Sequence, residues 1–244
     1  MTTNSRSIDR WCVRRAAGLL LVLTTAACAA HSPVAARAEC SRPDAQLQEW
    51  VHALEAQQAM GCPDVGRSRA RSCAELRRDV ERLALLCPGH GPTKMVNAVL
   101  AYDAGETAKA QQFLDDLFER PHSDPDAAML RARIAIDEGN VRFAQRFTEE
   151  QLRLAPNHSG LRELHAATLF LSGQHERAQA ELVVAKKLGA PAWRVAYHLG
   201  LIEEALGQRD LARQRYAEAL QDRPDFAAAR ARLDALGGPP PPTR

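Results

Sequence analysis

The sequence repeats itself every 34 residues from about residue 91 to the region of residue 224. One glycine and two small residues recur at this spacing in four successive units. Three registers that hold over four units do not arise from composition alone, so this period restricts the possible folds more than any other feature. The glycines are Gly105, Gly139, Gly173 and Gly207, and the two rows of small residues are Ala98, Ala132, Ala166 and Gly200, and Ala110, Ala144, Ala178 and Ala212.

Each unit is predicted to hold two helices. A first helix of about fourteen residues ends at the glycine, because glycine readily adopts the left-handed backbone found at helix ends. A second helix follows, for example over residues 210–221, and prolines such as Pro156 and Pro224 stop it. Ala and Leu dominate the sequence while aromatic residues make up only 5%, which also favours helices over strands. We therefore expect an all-α fold in which helix pairs stack as a solenoid.

The last unit resembles the tetratricopeptide repeat. Its residues at the family's signature positions are Trp193, Leu199, Gly200, Ala212, Tyr216, Ala219 and Pro224. The tyrosine that the family carries in its first helix is absent from all four units, where Ala101, Ala135, Leu169 and Glu203 stand instead. The resemblance implies about four helix-turn-helix units and a C-terminal capping helix (225–236), which together span residues 91–236. Residues 237–244, which include four consecutive prolines, are predicted to be a disordered tail.

The first 27 residues have the features of an export signal. Arg14 and Arg15 precede an apolar run over residues 16–27, which is shorter than the ~20 residues needed to span a bilayer. The run ends in Thr-Ala-Ala-Cys, which resembles a bacterial lipoprotein cleavage site with Cys28 as the lipidated residue. We thus expect a signal peptide over 1–27, a flexible tether over 28–39 and a periplasmic protein anchored to the outer membrane. Ordinary cleavage after residue 38 is the alternative, and it would release a soluble periplasmic or secreted protein.

Export places the remaining four cysteines in an oxidising compartment, where an even number predicts disulfides. Two apolar stripes predict helices over residues 44–60 and 73–86, joined by a loop at 61–72. Helices joined in this way run antiparallel, and a disulfide needs Cα atoms within about 7 Å, which only a nested pairing provides. Residues 40–90 are therefore expected to form a stapled helical hairpin that caps the repeats. The predicted bridges are Cys40–Cys87 and Cys62–Cys73. Zinc binding by these cysteines is the alternative, which the compartment and the spacing disfavour.

The charge of the sequence gives no reason to expect a nucleic-acid partner. The whole chain carries +2, of which residues 1–38 contribute +4 through five arginines and one aspartate, so the remaining residues carry −2. The sequence contains no phosphate-binding loop, dinucleotide fingerprint, zinc-protease motif or nucleophile elbow. His165 and His198 lie on neighbouring first helices, but two histidines do not supply the three or four ligands of a zinc site. No cofactor, metal or enzymatic activity is expected.

In the tetratricopeptide-repeat family the first helices line a concave surface that binds proteins. The resemblance places the groove of this chain on those helices, where Met and aromatic side chains suit an adaptable surface for a helix or an extended peptide. The family's carboxylate clamp uses Lys and Asn, whereas Met95, Met129, Glu163 and Tyr197 stand at the fifth position of each unit. Glu163 and Leu171 occupy groove positions of the third unit. The predicted groove residues are Met95, Val99, Tyr102, Met129, Arg133, Ile136, Phe170, Arg194, Tyr197 and Leu201.

These features predict a non-catalytic scaffold for protein–protein interaction in the cell envelope. It would assist the assembly or positioning of a secretin, pilus or β-barrel complex, with lipid on Cys28 holding it to the membrane. Two alternatives remain open: a regulatory binding subunit of an envelope enzyme such as a peptidoglycan hydrolase, and a periplasmic folding helper.

Overall fold

Helices are the only regular secondary structure of residues 40–62, 71–119 and 124–238, the part of the chain that this computed structural model describes. The predicted signal peptide, the tether, Cys28 and the last six residues of the predicted tail lie outside the described residues. The helices are α1 (Pro43–Ala59), α2 (Cys73–Leu86), α3 (Gly91–Asp103), α4 (Thr107–Phe118), α5 (Pro125–Asp137), α6 (Val141–Leu154), α7 (Ser159–Leu171), α8 (His175–Lys187), α9 (Ala192–Ala205), α10 (Arg209–Asp222) and α11 (Ala227–Ala235).

Helices α3 to α10 form four consecutive pairs, and each pair packs against the next. The pairs are α3 with α4, α5 with α6, α7 with α8 and α9 with α10, so each contains one period of the sequence repeat. This arrangement confirms the predicted all-α solenoid. The second-helix alanines of the repeat are completely buried in every pair, because they lie where helices approach one another most closely. These residues are Ala110, Ala144, Ala178 and Ala212, each 0% exposed.

The turn inside each pair depends on a left-handed glycine. Gly139 has a φ of 77°, a conformation that residues with a Cβ rarely adopt. Its N–H donates to the carbonyl of Ile136 at 2.9 Å, and the N–H of Asn140 donates to the carbonyl of Ala135 at 2.7 Å. These two bonds satisfy the last carbonyls of α5 and reverse the chain into α6. The same pair of bonds recurs at the other three glycines of the row.

Helices α1 and α2 form the predicted N-terminal hairpin. A disulfide between Cys40 and Cys87 joins its open end, with Cα atoms 5.5 Å apart, and a second disulfide, between Cys62 and Cys73, joins the end near the loop, at 5.8 Å. The structure thus contains the nested pairing. Helix α2 begins at Cys73, because the side chain of Ser72 and that of Glu75 form a reciprocal capping box at its N-terminus.

The hairpin covers the first face of the repeat stack. Val80 and Leu83 of α2 are buried, and Val96 and Leu100 of α3 pack against the same cluster. The buried amide of Asn97 donates to the carbonyl of Val80 at 3.1 Å, which ties α3 directly to the hairpin. These contacts pack the disulfide-linked hairpin directly against the first helix of the repeats.

Helix α11 covers the other end of the stack. Ala229 and Leu233 are its buried residues, and they pack against Tyr216 and the aromatic side chains beside it. The helix spans fewer residues than the predicted 225–236, since Phe226 is its N-cap. Gly238, the second residue of the segment predicted as the tail, ends the helix as its glycine pair predicts, by donating its N–H to the carbonyl of Leu233. Among the described residues, no helix has both the length and the apolar character that crossing a membrane requires.

Candidate functional site

The first helices of the four pairs enclose a groove with a volume of about 650 Å³. Every residue that lines it belongs to α3, α5, α7 or α9, and none to a second helix. The lining combines charged, aromatic and apolar side chains, namely Tyr102, Met129, Leu130, Arg133, Ile136, Asp137, Gly160, Glu163, Leu164, Ala167, Leu171, Arg194 and His198.

Glu163 lies at the floor of the groove and is the most buried charge there. Its side chain is only 6% exposed. The Nε–H of Arg194 donates to Oε1 of Glu163 at 2.5 Å, and Nδ1 of His198 lies 3.3 Å from the same oxygen. Oε2 of Glu163 is buried and has no hydrogen-bond partner among the described residues. Arg194 supplies the positive charge that balances this buried carboxylate, and His198 lies beside the same oxygen, so the three side chains form one polar cluster.

Burial lowers the pKa of His198, because it disfavours the charged form of the ring. The carboxylate of Glu163 opposes this shift, while the positive charges of Arg194 and Arg133 add to it. Both guanidinium groups therefore lie close enough to His198 to influence its pKa electrostatically. Arg133, Arg194 and His198 form the basic side of the groove, and we refer to these three residues as the basic cluster.

Tyr102 and Asp137 close the end of the groove nearest the first pair. The Tyr102 hydroxyl donates to Oδ2 of Asp137 at 2.6 Å, which links α3 to α5. This hydrogen bond is the main reason that the pKa of the Tyr102 hydroxyl is raised, with burial and the charge of Asp137 contributing further. Tyr102 thus remains a neutral donor, and its ring presents an apolar wall to the groove.

A second, apolar cavity of about 200 Å³ lies beside the groove, between α7, α8 and α9. His198, Ala167 and Leu171 line both cavities, so the two form a continuous surface. The remaining lining is apolar: Ala166, Phe170, Leu182, Leu201 and Ile202. A partner could therefore place polar groups against the basic cluster and an apolar side chain in this neighbouring pocket.

Within the described residues, no group of three or more His, Cys, Asp or Glu side chains is arranged to hold a metal ion. His165 and His198 make separate contacts. Nδ1 of His165 lies 2.8 Å from the hydroxyl of Thr148, in the core between the second and third pairs.

No protein-family model matches the sequence, and no curated protein is significantly similar to it. Solved structures of repeat proteins have a similar fold, among them the following three. TTC0263, a thermophilic TPR protein of Thermus thermophilus, is 17% identical over 78% of this chain and 98% of its own, with a TM-score of 0.62. A tetratricopeptide repeat protein of Parabacteroides merdae is 18% identical over 67% of this chain and 64% of its own, with a TM-score of 0.55. YrrB, described as a TPR protein with an unusual peptide-binding site, is 10% identical over 82% of this chain and 96% of its own, with a TM-score of 0.53.

The chain has a tetratricopeptide-repeat fold. The agreement extends over nearly the whole length of TTC0263 and of YrrB, so it includes helices beyond a single repeat. The groove therefore lies on the side of the tetratricopeptide-repeat array that the first helices form.

The structure brings seven of the ten predicted groove residues to the two cavities. The larger cavity contains Tyr102, Met129, Arg133, Ile136 and Arg194, and the smaller one contains Phe170 and Leu201.

The other three predicted residues lie elsewhere on the tetratricopeptide-repeat array. Met95 packs against the core of the first pair. Val99 is 37% exposed and lines neither cavity. The ring of Tyr197 packs against that of Phe226, with centroids 4.9 Å apart, and so contributes to the C-terminal cap.

Among the groove residues that were not predicted from the sequence, His198 and Gly160 are the most informative. His198 follows Arg194 by four residues, and this spacing puts both on one face of α9, which is a signal that could have revealed it. Gly160 is important because it has no side chain. A Cβ there would lie 2.8 Å from Sδ of Met129, so the glycine lets Met129 rest on the backbone of α7.

Proposed function

We propose that this protein is a non-catalytic scaffold that is exported to the cell envelope and binds another protein in its groove. The groove itself is the observation that supports the proposal most strongly. It is built by four first helices, it has a charged floor at Glu163, and it continues into an apolar pocket. Protein-binding surfaces combine apolar anchor pockets with a few placed polar groups in this way. The similar protein YrrB is described as having a peptide-binding site, which fits the same role.

Site-specific photocrosslinking in the native envelope tests where binding occurs. Leu171 lines both cavities and is 50% exposed, while Val183 on α8 is 48% exposed and lines neither. A photoreactive amino acid at each position gives two probes of matched accessibility. We expect a discrete crosslinked partner from Leu171 and none from Val183. Equal crosslinking from both positions, or crosslinking from Val183 alone, would place the interaction outside the groove.

The partner caught at Leu171 also distinguishes the possible roles of the scaffold. Assembly or positioning of an envelope complex requires a component of a secretin, a pilus or a β-barrel machine. A peptidoglycan hydrolase would instead indicate a regulatory subunit, and many unrelated exported proteins would indicate a folding helper. Two disulfides in the hairpin support an oxidising compartment and hence export.

Anchoring by lipid on Cys28 is the localisation that we propose. Metabolic labelling with a palmitate analogue, followed by membrane fractionation, should label the wild-type protein and place it with the outer membrane. The Cys28→Ser variant should lose the label and the membrane association. A wild-type protein that is unlabelled, soluble and begins at Glu39 would show ordinary secretion instead.

A further inference from the structure

Two arginines face the groove with hydrogen-bond donors that no described residue uses. Arg133 is exposed and makes no ion pair or hydrogen bond with any residue that the structure describes. Arg194 gives its Nε–H to Glu163, and its other contact is with the ring of Trp193, whose centroid lies 5.9 Å from Cζ. A guanidinium group carries five N–H donors. Most of the donors on these two side chains are therefore available to a ligand.

Among the described residues, only one of the two arginines is paired with a carboxylate. Glu163 is paired with Arg194 and is too deeply buried for a ligand to displace, so it fixes this guanidinium at the groove. Asp137, the other acidic residue in the lining, accepts a hydrogen bond from Tyr102 and makes no ion pair with Arg133. The charge of Arg133 is therefore left without a counter-ion among the described residues. A carboxylate fits such a position, because guanidinium groups bind carboxylates through two parallel hydrogen bonds.

The apolar cavity lies on the other side of His198 from this charge. His198 lines both cavities, so a ligand that reaches the arginines passes directly beside the pocket formed by Phe170 and Leu201. A single acidic group would leave that pocket empty, whereas a peptide can fill both with neighbouring side chains.

We infer that the groove binds a segment of a partner protein in which an Asp or Glu side chain stands within a few residues of a large apolar side chain. The carboxylate binds Arg133 and Arg194, and the apolar side chain enters the pocket beside Phe170. Glu163 is a positioning residue, since it acts through Arg194. This inference rests on the proposed scaffold function and specifies the chemistry of the partner.

A basic segment is the opposing possibility, because Oε2 of Glu163 has no hydrogen-bond partner among the described residues and a lysine or arginine could donate to it. However, that oxygen is buried, and Arg194 and His198 lie against the same carboxylate. An incoming cation would meet the two arginines before it reached Glu163, and like charges at short range repel. The donors of Arg133 and Arg194 that no described residue uses thus favour an acidic segment.

Selection from a random peptide library tests the inference. The bait is the purified full-length protein with its disulfides intact, and each peptide is displayed as an internal loop, so that it has no free terminal carboxylate. We expect the selected peptides to be enriched in Asp or Glu close to Leu, Ile, Phe or Trp. The Arg133→Glu variant reverses one charge at an exposed position, and it should shift the selected peptides from acidic to basic. Arg146→Glu is the matched control, because Arg146 is an exposed residue of α6 outside the groove, and it should select the same peptides as the wild type.

Affinity measurements then assign the contact. A fluorescein-labelled, amidated copy of the most enriched acidic peptide should bind Arg133→Gln and Arg194→Gln at least about tenfold more weakly than it binds the wild type. A loss of this size is expected when one hydrogen bond to a charged group is removed. Added salt should also weaken binding to the wild type. The inference is overturned if the selected peptides are basic or uncharged, if nothing is enriched, or if Arg133→Glu selects the wild-type set. A partner crosslinked at Leu171 would then show that the scaffold function stands although the acidic chemistry is wrong.

Discussion

The ring of Tyr216 fills the space that a side chain at Gly200 would need. A Cβ at Gly200 would lie 2.6 Å from Cε1 and 2.8 Å from Cδ1 of Tyr216, which is closer than carbon atoms pack. The fully buried ring also donates its hydroxyl to Oε2 of Glu204 at 2.7 Å, and burial is the main cause of the raised pKa of that hydroxyl. In the other units the equivalent positions, which are also sixteen residues apart, hold an alanine and a smaller side chain: Ala98 and Leu114, Ala132 and Thr148, and Ala166 and Leu182.

We expect Gly200→Ala to have opposite effects in two backgrounds. In the wild type the new methyl group displaces the Tyr216 ring, and such overpacking costs about 1–3 kcal/mol, against a gain of about 1 kcal/mol in helix propensity. In Tyr216→Leu, which copies the third unit, the clash is gone and the substitution should stabilise by about 1 kcal/mol. Urea unfolding of the four proteins in this double-mutant cycle measures both effects. A destabilisation of the same size in both backgrounds would show that the ring does not cause it.

The buried alanine row should not tolerate larger side chains. Ala178 is 0% exposed on α8, and Ala178→Leu should cost about 1–3 kcal/mol by overpacking the contact between helices. Ala180 is exposed on the same helix, so Ala180→Leu is the matched control and should change stability by less than about 0.5 kcal/mol. Thermal unfolding of both variants gives the comparison. If Ala178→Leu melts at the wild-type temperature, the assignment of the repeat to this helix contact is wrong.

The two disulfides should contribute unequally. They close chain segments with sequence separations of 47 and 11 residues, and a longer closed loop restricts the unfolded chain more. Replacing Cys40 and Cys87 by alanine should cost about 2–4 kcal/mol, and about 1 kcal/mol more than replacing Cys62 and Cys73. Denaturant unfolding of both variants under oxidising conditions measures the difference.

Hydrogen exchange identifies where the hairpin variants loosen. Protection should fall in α1, while α7 to α10 remain as protected as in the wild type. Non-reducing peptide mapping checks the pairing itself, and a linked peptide containing both Cys40 and Cys62 would contradict the antiparallel hairpin.

The buried histidines should make the fold sensitive to acid. Burial is the largest cause of the lowered pKa of His165, whose ring lies against Thr148. The unfolded chain, in which a histidine has a pKa of about 6.5, therefore binds the proton more readily than the folded one. The stabilising contribution of neutral His165 is therefore fully present above about pH 6.5 and decreases as the pH falls towards the pKa of the folded state. His198 acts in the same direction, because its pKa is also lowered.

His165→Gln removes one of these titrating groups. When the pH is lowered from about 7.5 to about 5.5, the melting temperature of this variant should fall by less than that of the wild type. His52 is exposed on α1, so His52→Gln should leave the pH dependence unchanged. Equal pH dependence in the wild type and His165→Gln would mean that this ring binds its proton equally well in the folded and unfolded states.

The parts of the structure that could be predicted depend on local rules. The bounds of α2 follow from the capping residues Ser72 and Glu75 and from the apolar stripe behind them. The disulfide pairing follows from the length of two helices and the reach of a disulfide. The reversal at Gly139 follows from the need for a left-handed residue. In each case, the structure is determined by a few residues that are close together in the sequence.

The parts that could not be predicted depend on contacts between distant elements. Tyr197 occupies a family groove position, but α11 brings Phe226 against its ring, and the 34-residue period carries no information about what packs on the last unit. Similarly, the polar floor of the groove depends on how Glu163 of α7 meets Arg194 and His198 of α9. The spacing along α9 reveals that two of these residues share a face, but not that a buried carboxylate lies opposite.

The recurrence of the left-handed glycine determines how such a chain can change length during evolution. Since each unit returns the backbone to an equivalent place after 34 residues, a whole unit duplicated next to Gly139 would lengthen the groove and leave both ends intact. One extra residue within a helix would instead rotate everything after it by about 100° and expose the buried alanines. The end units are not interchangeable. The disulfide-linked hairpin packs against the first face of the stack, whereas α11 packs against the Tyr216 ring at the last face. Growth of this molecule is therefore restricted to whole-unit steps in its interior.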